Sequence, residues 1–350
     1  MTRFFNWLKP KNQKIKIGGF FWGFWLISLI FFNLWNTGFA QKGKVRIGVI
    51  RLPAPYAVEM EEGFKKTLKL LGYQEGKNLE YILRIGEPEE VNYEVNRQMA
   101  RELLNLKVDL IATIGTGAST PVWPVVRGSK VPMVFAGVTY PIQGELIEKF
   151  GKPTGTNITG ISYGVPPETR LKLFRKMFPD EKRFKRLGFI YSGVMEQEVN
   201  MVTELKSLKK TYQFQLEYID FYNPEIQAPD FSILENNVKK VDLMFGWYTL
   251  DRICDDSSLL ERLTSFPVPI LGITSQFTDH GAIGGVLTDH FALGGQHAKM
   301  VAKVLLGEDP GEIPPQQPAS YLIEINLRKA QELKIEIPLE MIGAASRIVK

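Results

Sequence analysis

The chain of 350 residues is long enough for two domains of ordinary size, each with its own core. With 44% hydrophobic and 23% charged residues, its composition is that of a folded protein and excludes a disordered chain. The net charge of +5 equals the charge of residues 1–40, which contain no acid and five basic residues. The rest of the chain is formally neutral, so the basicity gives no support to a nucleic-acid partner.

Residues 1–40 have the layout of an export signal. A basic stretch ending at Lys16 precedes an uncharged apolar run, Gly18 to Trp35, and the small residues Gly38 and Ala40 follow. This order is typical of a secretory signal peptide with its cleavage site. The apolar run is also nearly long enough to span a bilayer, so the leader is either cleaved or kept as an N-terminal membrane anchor. In both cases we expect the remaining chain to lie in the periplasm.

The only cysteine is Cys254, so an intrachain disulfide is excluded and the stability must come from packed cores. Its distance from the leader also excludes lipid attachment at a cysteine just after a cleavage site. Export without lipidation is typical of a soluble periplasmic protein.

After the leader, strand-like apolar runs alternate with amphipathic helical stretches in two series. The first series runs from KVRIGVI to PMVFAGV, and the second begins near Glu168 and continues to PILGIT. Strands spaced by helices of 10 to 15 residues predict parallel sheets built from βαβ units. We therefore predict an α/β fold of two doubly wound parallel-sheet lobes.

Three connections are expected between the lobes, with a ligand cleft between them. The first is the Gly- and Thr-rich segment 151–164, and the others flank the helix that follows GAIGGVLTD. The first lobe is predicted to hold residues 41–160 and about 291–315. The second is predicted to hold residues 161–290 and about 316–350.

The segment DLIATIGTGASTP, from Asp109 to Pro121, resembles the start of a dinucleotide cradle. The third glycine of that fingerprint is replaced by Thr120, and no acid follows at the required distance. A nucleotide cofactor is therefore not predicted. Thr116 and Gly117 are expected to end a strand at the ligand edge of the sheet, while Ser119 either contacts the ligand or caps the next helix.

The segment GISYG, Gly160 to Gly164, matches the nucleophile elbow of serine hydrolases. VPPE follows it and suits a linker rather than the required helix, so Ser162 is not predicted to be a nucleophile. His280 and His290 each follow an aspartate, but their predicted places in a loop and at a helix start argue against a metal site. We predict no cofactor, no metal and no enzymatic activity.

Aromatic and hydroxyl side chains gather at the predicted strand ends, in LPAPY, VTYP, IYSG, GWYT and GITS. An aromatic cleft with a few polar groups is typical of a small-molecule site, so we expect a flat or aromatic ligand. The adjacent Trp247 and Tyr248 point to opposite faces of an extended strand, so at most one faces the ligand. The predicted ligand contacts are Tyr56, Thr116, Gly117, Thr139, Tyr140, Ser192, Trp247, Tyr248, Thr249, Thr274 and Ser275.

Several motifs in order resemble one family, the periplasmic substrate-binding proteins of ABC transporters of uncharacterised transport systems. They are LGYQEGKNLEY, VDLIATIGT, VPMVFAGVTYP, GTNITGIS, GAIGGVLTDHFALGGQHAKMVAKVLLGEDPGEIP and INLRKAQELKIEIPLEMI. The resemblance covers residues 44–349. It implies a type I periplasmic-binding-protein clamshell that closes on its ligand, and some members bind aromatic amino acids.

The chain departs from the family pattern at two places. Members typically have Thr-Asp-Pro at Thr139-Tyr140-Pro141, and often Thr-Asp-Asn near Tyr248-Thr249-Leu250. Loss of both acids removes partners for a ligand ammonium group, and a buried charge without a partner is costly. Glu196 and Asp251 are the candidate substitutes.

The resemblance implies a monomeric solute receptor that delivers a small molecule to an ABC permease in the inner membrane. The alternative is a sensory module that presents a ligand-dependent surface to a membrane signalling protein. The same clamshell serves both roles, so the fold does not separate them.

Overall fold

The structure is a computed structural model that describes residues 43–87, 93–180, 184–191, 196–220, 222–223, 225, 228–246 and 257–350. The predicted leader lies outside these residues. Within them, no helix has the length and apolar composition needed to cross a membrane.

The first sheet has the strand order β2-β1-β3-β4-β5. Its strands are β1 (Val45–Arg51), β2 (Leu79–Ile85), β3 (Leu110–Ile114), β4 (Met133–Val138) and β5 (Ile158–Ser162). The intervening helices are α1 (Pro55–Leu70), α2 (Tyr93–Asn105) and α3 (Thr116–Val126). The pairs β1–β3, β3–β4 and β4–β5 are parallel. Strands β3, β4 and β5 are buried along their whole length, as expected of a parallel sheet covered on both faces.

The second sheet has the strand order β14-β13-β12-β11-β10-β6-β7, and a separate antiparallel pair joins β8 to β9. Its strands are β6 (Arg186–Tyr191), β7 (Gln215–Asp220), β10 (Leu243–Phe245), β11 (Ile270–Gly272), β12 (Gly284–Thr288), β13 (Tyr321–Asn326) and β14 (Arg347–Val349). The short pair consists of β8 (Tyr222–Asn223) and β9 (Ala228–Pro229). Strands β12 and β13 are antiparallel, whereas β6–β7, β6–β10, β10–β11, β11–β12 and β13–β14 are parallel.

Helices cover both sheets. Those after β5 are α4 (Pro167–Met177), α5 (Glu196–Tyr212), α6 (Phe231–Asn237), α7 (Ser257–Thr264), α8 (Ser275–Asp279), α9 (His290–Leu305), α10 (Leu327–Glu332) and α11 (Leu339–Ala344). Short 3-10 turns lie at Val238–Lys240 and Pro310–Glu312.

The chain crosses between the two sheets three times. It leaves the first sheet after β5 and enters the second through α4. After β12 it returns, because α9 packs on α1 and β4. It then runs alongside β5, where Gln316 N donates to Gly160 O and Ser162 N donates to Gln316 O. From there it crosses a third time, and β13 joins the second sheet. The predicted fold class is confirmed, with β12–β13 as an antiparallel addition.

Residues Arg46–Lys350 form one contact-dense unit. The residue ranges assigned to each lobe from the sequence therefore stay a prediction.

The second sheet separates two apolar clusters, one on each face. Along β10, Leu243 and Phe245 belong to one cluster and Met244 to the other, because successive side chains of a strand point to opposite faces. The first cluster includes the ring pair Phe174–Phe245, with centroids 4.3 Å apart. The continuous apolar run of β10 thus supplies core residues to both faces of the sheet.

Two predicted helix starts have different outcomes. Asp289 caps α9, since its carboxylate accepts a hydrogen bond from Ala292 N at 2.9 Å, as predicted. The predicted cap at Ser119 is wrong. Ser119 lies inside α3, where its hydroxyl is 2.8 Å from Gly115 O and 2.8 Å from Thr113 Oγ1. The helix begins earlier than expected because Gly115 makes the turn.

Candidate ligand-binding site

The glycine turn after β3 makes room for a tyrosine. Gly115 has φ of +101°, a conformation that glycine adopts without strain. A Cβ at this position would also lie 2.9 Å from the Tyr56 hydroxyl. The turn therefore allows close approach of a side chain from α1, at the edge where ligands dock in open α/β sheets.

Thr116 and Gly117 lie in the first turn of α3 and do not end the strand as predicted. Thr116 Oγ1 accepts a hydrogen bond from Thr139 N at 3.2 Å and so ties the ends of β3 and β4 together. Gly117 is buried, and its carbonyl accepts from Asn96 Nδ2 at 2.9 Å. That carbonyl has no intrahelical donor because Pro121, four residues on, has no N–H.

An aromatic cluster lies at the same edge of the first sheet. Tyr56 packs against Tyr163 and His290, with ring centroids 5.5 Å and 5.9 Å apart. The rings of Tyr163 and His290 are nearly parallel, and Tyr163 Oη lies 2.9 Å from His290 Nε2. On its other side, His290 Nδ1 lies 3.2 Å from Glu59 Oε2. The strand ends of the first sheet thus carry an ordered polar and aromatic surface.

A cavity of about 100 Å³ lies beside this cluster, between the strand ends of the first sheet and helices α4 and α5. Its wall combines aromatic, hydroxyl and amide side chains with one basic and one acidic group. Its lining includes Thr139, Tyr140, Phe150, Ser162, Tyr163, Arg170, Met201, Glu204 and Gln317. An apolar wall with a few polar groups is typical of a small-molecule site.

Two ionisable groups give the cavity its charge pattern. Arg170 is almost fully buried, and its Nε and Nη1 donate to Val165 O and Val286 O at 3.2 Å and 2.8 Å. It fixes the first crossover against β12 and brings a positive charge to the wall. Desolvation raises the pKa of Glu204 on α5 above its usual value.

The predicted ligand contacts fall into three groups. Thr139 and Tyr140 line the cavity, and Tyr56 and Thr116 adjoin residues that line it. Thr274 and Ser275 lie at the carboxyl end of β11 and do not line this cavity. Gly117, which is buried, does not line it either. The other predicted contacts lie outside the described residues: Ser192, Trp247, Tyr248 and Thr249.

At the carboxyl end of β11, the two hydroxyls have different surroundings. Ser275 Oγ donates to Glu324 Oε1 at 2.7 Å, and Glu324 also pairs with Arg347. Ser275 therefore supports an ion pair whose carboxylate is buried. In the described part of the chain, Thr274 Oγ1 is buried and has no hydrogen-bond partner. Its hydroxyl is thus the more suitable of the two for a ligand contact.

Four residues of the candidate site were not among the predicted ligand contacts: Glu59, Tyr163, Arg170 and His290. Two sequence signals lay near them: GISYG, which was weighed as a nucleophile elbow and rejected, and Asp289-His290, which was weighed as a metal site and rejected. In the structure, Ser162 ends β5 and is buried, and a loop separates it from α4. This segment lacks the immediate strand-turn-helix geometry of a nucleophile elbow, and Ser162, Tyr163 and Gly164 line the cavity.

Comparisons with known proteins agree with the fold. The family model for ABC transporter substrate binding proteins matches residues 46–349. A tyrosine-binding protein of Clostridioides difficile (strain R20291) is 24% identical over 281 residues, covering 78% of this chain and 76% of that protein.

Two solved structures show the same two-lobe, type I periplasmic-binding-protein fold. One is an ABC domain in complex with L-Trp from Streptococcus pneumonia, with a TM-score of 0.66, 23% identity, and coverage of 88% of this chain and 100% of that chain. The other is the ligand-free, open structure of a substrate-binding protein with adhesive properties from Clostridium difficile. It has a TM-score of 0.73, 20% identity, and coverage of 87% of this chain and 99% of that chain. Because the family model spans nearly all of the described residues, the chain belongs to the family of ABC transporter substrate binding proteins.

Proposed function

We propose that this protein is a periplasmic receptor that binds an aromatic amino acid and delivers it to an ABC permease in the inner membrane. The observation that carries the proposal is the cavity at the strand ends, whose wall holds Tyr140, Phe150 and Tyr163 beside the buried Arg170. Aromatic rings stack on a flat side chain, and a guanidinium pairs with a carboxylate.

The relatives support this ligand class. One curated relative is named a tyrosine-binding protein, and one structural neighbour contains L-Trp. An aromatic amino acid presents a ring, a carboxylate and an ammonium group, which match the ring wall, Arg170 and the oxygen atoms of the cavity.

The receptor performs no chemistry in this proposal; its work is closure around the ligand. The leader supports export, and the neutral balance of charges after residue 40 gives no reason for a nucleic-acid partner. We infer that the exported protein acts as a monomer.

A thermal-shift experiment tests the proposed function. The full chain, expressed with its own leader and purified after export, is heated with L-tyrosine, L-tryptophan or a panel of sugars and aliphatic amino acids. A ligand that binds only the native state stabilises it and so raises Tm. At a hundredfold excess of ligand over Kd, the added stability is about 2.7 kcal/mol. We expect a shift with the aromatic amino acids. A shift with sugars alone would contradict the ligand class, and no shift with any solute would contradict the receptor role.

A second prediction concerns Trp247, which lies outside the described residues. If its ring stacks on the ligand, Trp247→Ala weakens binding by about tenfold or more, because stacking adds to burial. Trp123→Phe is the control: Trp123 lies in α3, is 5% exposed and does not line the cavity. Calorimetric titration of both variants measures the difference. Equal affinities for Trp247→Ala and the unchanged chain would remove Trp247 from the site.

A further inference from the structure

Three side chains from distant parts of the sequence form a hydrogen-bonded row that ends at the cavity. Glu59 lies on α1, His290 opens α9, and Tyr163 follows β5 in the first crossover. The two links measure 3.2 Å from Glu59 Oε2 to His290 Nδ1 and 2.9 Å from His290 Nε2 to Tyr163 Oη. Tyr163 N also donates to Val138 O at 2.7 Å, which holds its backbone to the end of β4.

The chemistry of the row fixes where its protons lie when the imidazole is neutral. A carboxylate only accepts hydrogen bonds, so the proton of His290 is on Nδ1, facing Glu59. His290 Nε2 then carries a lone pair and accepts the phenolic proton of Tyr163. As a result, Tyr163 Oη offers only lone pairs to a further group, and that group must be a donor.

Tyr163 also lies where an acid is missing. It lines the cavity together with Thr139 and Tyr140, and the segment Thr139–Pro141 carries no carboxylate. Among the lining residues in the described part of the chain, the acid is Glu204, which lies on α5 and is exposed to solvent. An ammonium group buried in this cavity would therefore need another source of negative potential.

We propose that Tyr163 Oη receives the ammonium group of the ligand, with His290 and Glu59 as positioning residues that keep Oη an acceptor. This inference rests on the proposed function and names the group that the site recognises. Glu59 supplies a negative charge and is linked to Tyr163 through the His290 ring. The Glu59 side chain is half exposed, so this charge does not have to be buried. The ring of Tyr56 beside Tyr163 adds a π face, which attracts cations.

The test compares ligands that differ only at the amino group. The full chain, expressed with its own leader, is titrated by calorimetry with L-tryptophan and L-tyrosine. Each is paired with its 2-oxo analogue, indole-3-pyruvate or 4-hydroxyphenylpyruvate, which places an acceptor where the amino acid has a donor. We expect tight binding of an amino acid and much weaker binding of its oxo analogue.

Two conservative variants separate contact from positioning. Tyr163→Phe should weaken amino-acid binding by about tenfold or more, because hydrogen bonds to charged groups are the stronger class, and should change oxo-analogue binding little. Glu59→Gln lets the amide donate to His290 Nδ1, so the imidazole proton moves to Nε2 and Tyr163 turns its hydroxyl outward. The preference for the amino group should then fall by about threefold or more. Tyr73→Phe is the control, because Tyr73 lies just after α1 and does not line the cavity, and should leave both affinities unchanged.

Each outcome decides a different point. If the unchanged chain binds neither amino acid, the proposed function fails and this inference fails with it. If it binds them and Tyr163→Phe keeps the full preference for the amino group, only the inference is overturned. If Tyr163→Phe loses the preference but Glu59→Gln keeps it, the positioning role of Glu59 and His290 is overturned.

Discussion

Gly294→Ala is expected to lower the free energy of unfolding by about 3 kcal/mol or more, because it forces two helices apart. Gly294 lies on α9, and a Cβ there would come within 1.9 Å of Met60 O on α1. The contact is reciprocal, since a Cβ at Gly63 of α1 would lie 2.0 Å from Phe291 O. Backbone atoms of a helix cannot rotate away as a side chain does, so the whole α1–α9 contact must open.

Gly295→Ala is the matched control on the same helix. Its Cβ would meet only Thr67 Oγ1 at 2.9 Å, with the next atom 4.0 Å away, and the hydroxyl can rotate. Both substitutions gain about 1 kcal/mol of helix propensity, so the difference between them reports the helix contact alone. Urea unfolding of the two variants measures it. Similar stabilities for both would show that α1 and α9 are not packed this closely.

Acid should destabilise the protein through one buried histidine. His297 on α9 is fully buried, and burial holds its pKa at about 4, below the usual 6.5, although the hydrogen bond to Val134 O acts in the opposite direction. Because that carbonyl accepts from His297 Nε2 at 3.0 Å, the lone pair is on Nδ1. In the described part of the chain Nδ1 is buried without a partner, so protonation would bury an unsatisfied N–H.

The sign of the effect follows from proton binding. Between pH 6.5 and 4 the unfolded chain binds a proton at His297 that the native state does not, so unfolding becomes easier as the pH falls. The stability contributed by neutral His297 is fully present above pH 6.5 and declines through this window. Near pH 4, about 3 kcal/mol of it has been lost.

His297→Gln tests this contribution, because the amide can still donate to Val134 O but does not titrate. The free energy of unfolding of both proteins is measured by urea titration at pH steps from 7 to 4. We expect the variant to lose about 3 kcal/mol less than the unchanged chain over this range. Parallel pH profiles would mean that His297 is not the group responsible.

The order of strands and helices is largely a local property, and the sequence determined it. Apolar runs such as PMVFAGV at β4 alternate with amphipathic stretches, and that alternation predicts two parallel α/β sheets without tertiary information. The cap of α9 by Asp289 was predictable for the same reason, because the carboxylate and the N–H it accepts from are only three residues apart.

The cluster of Glu59, His290 and Tyr163 was decided by the tertiary structure. Glu59 and His290 are 231 positions apart, and Tyr163 and His290 are 127 apart, so no local pattern reports their contact. They meet because α9 returns to pack on α1 after the chain has built most of the second sheet. The same holds for Gly115, whose sequence context resembles a phosphate turn, whereas in the fold its missing side chain admits the Tyr56 hydroxyl. Sequence periodicity fixes which face of each element is apolar, but only the packing of distant elements determines which polar side chains share a site.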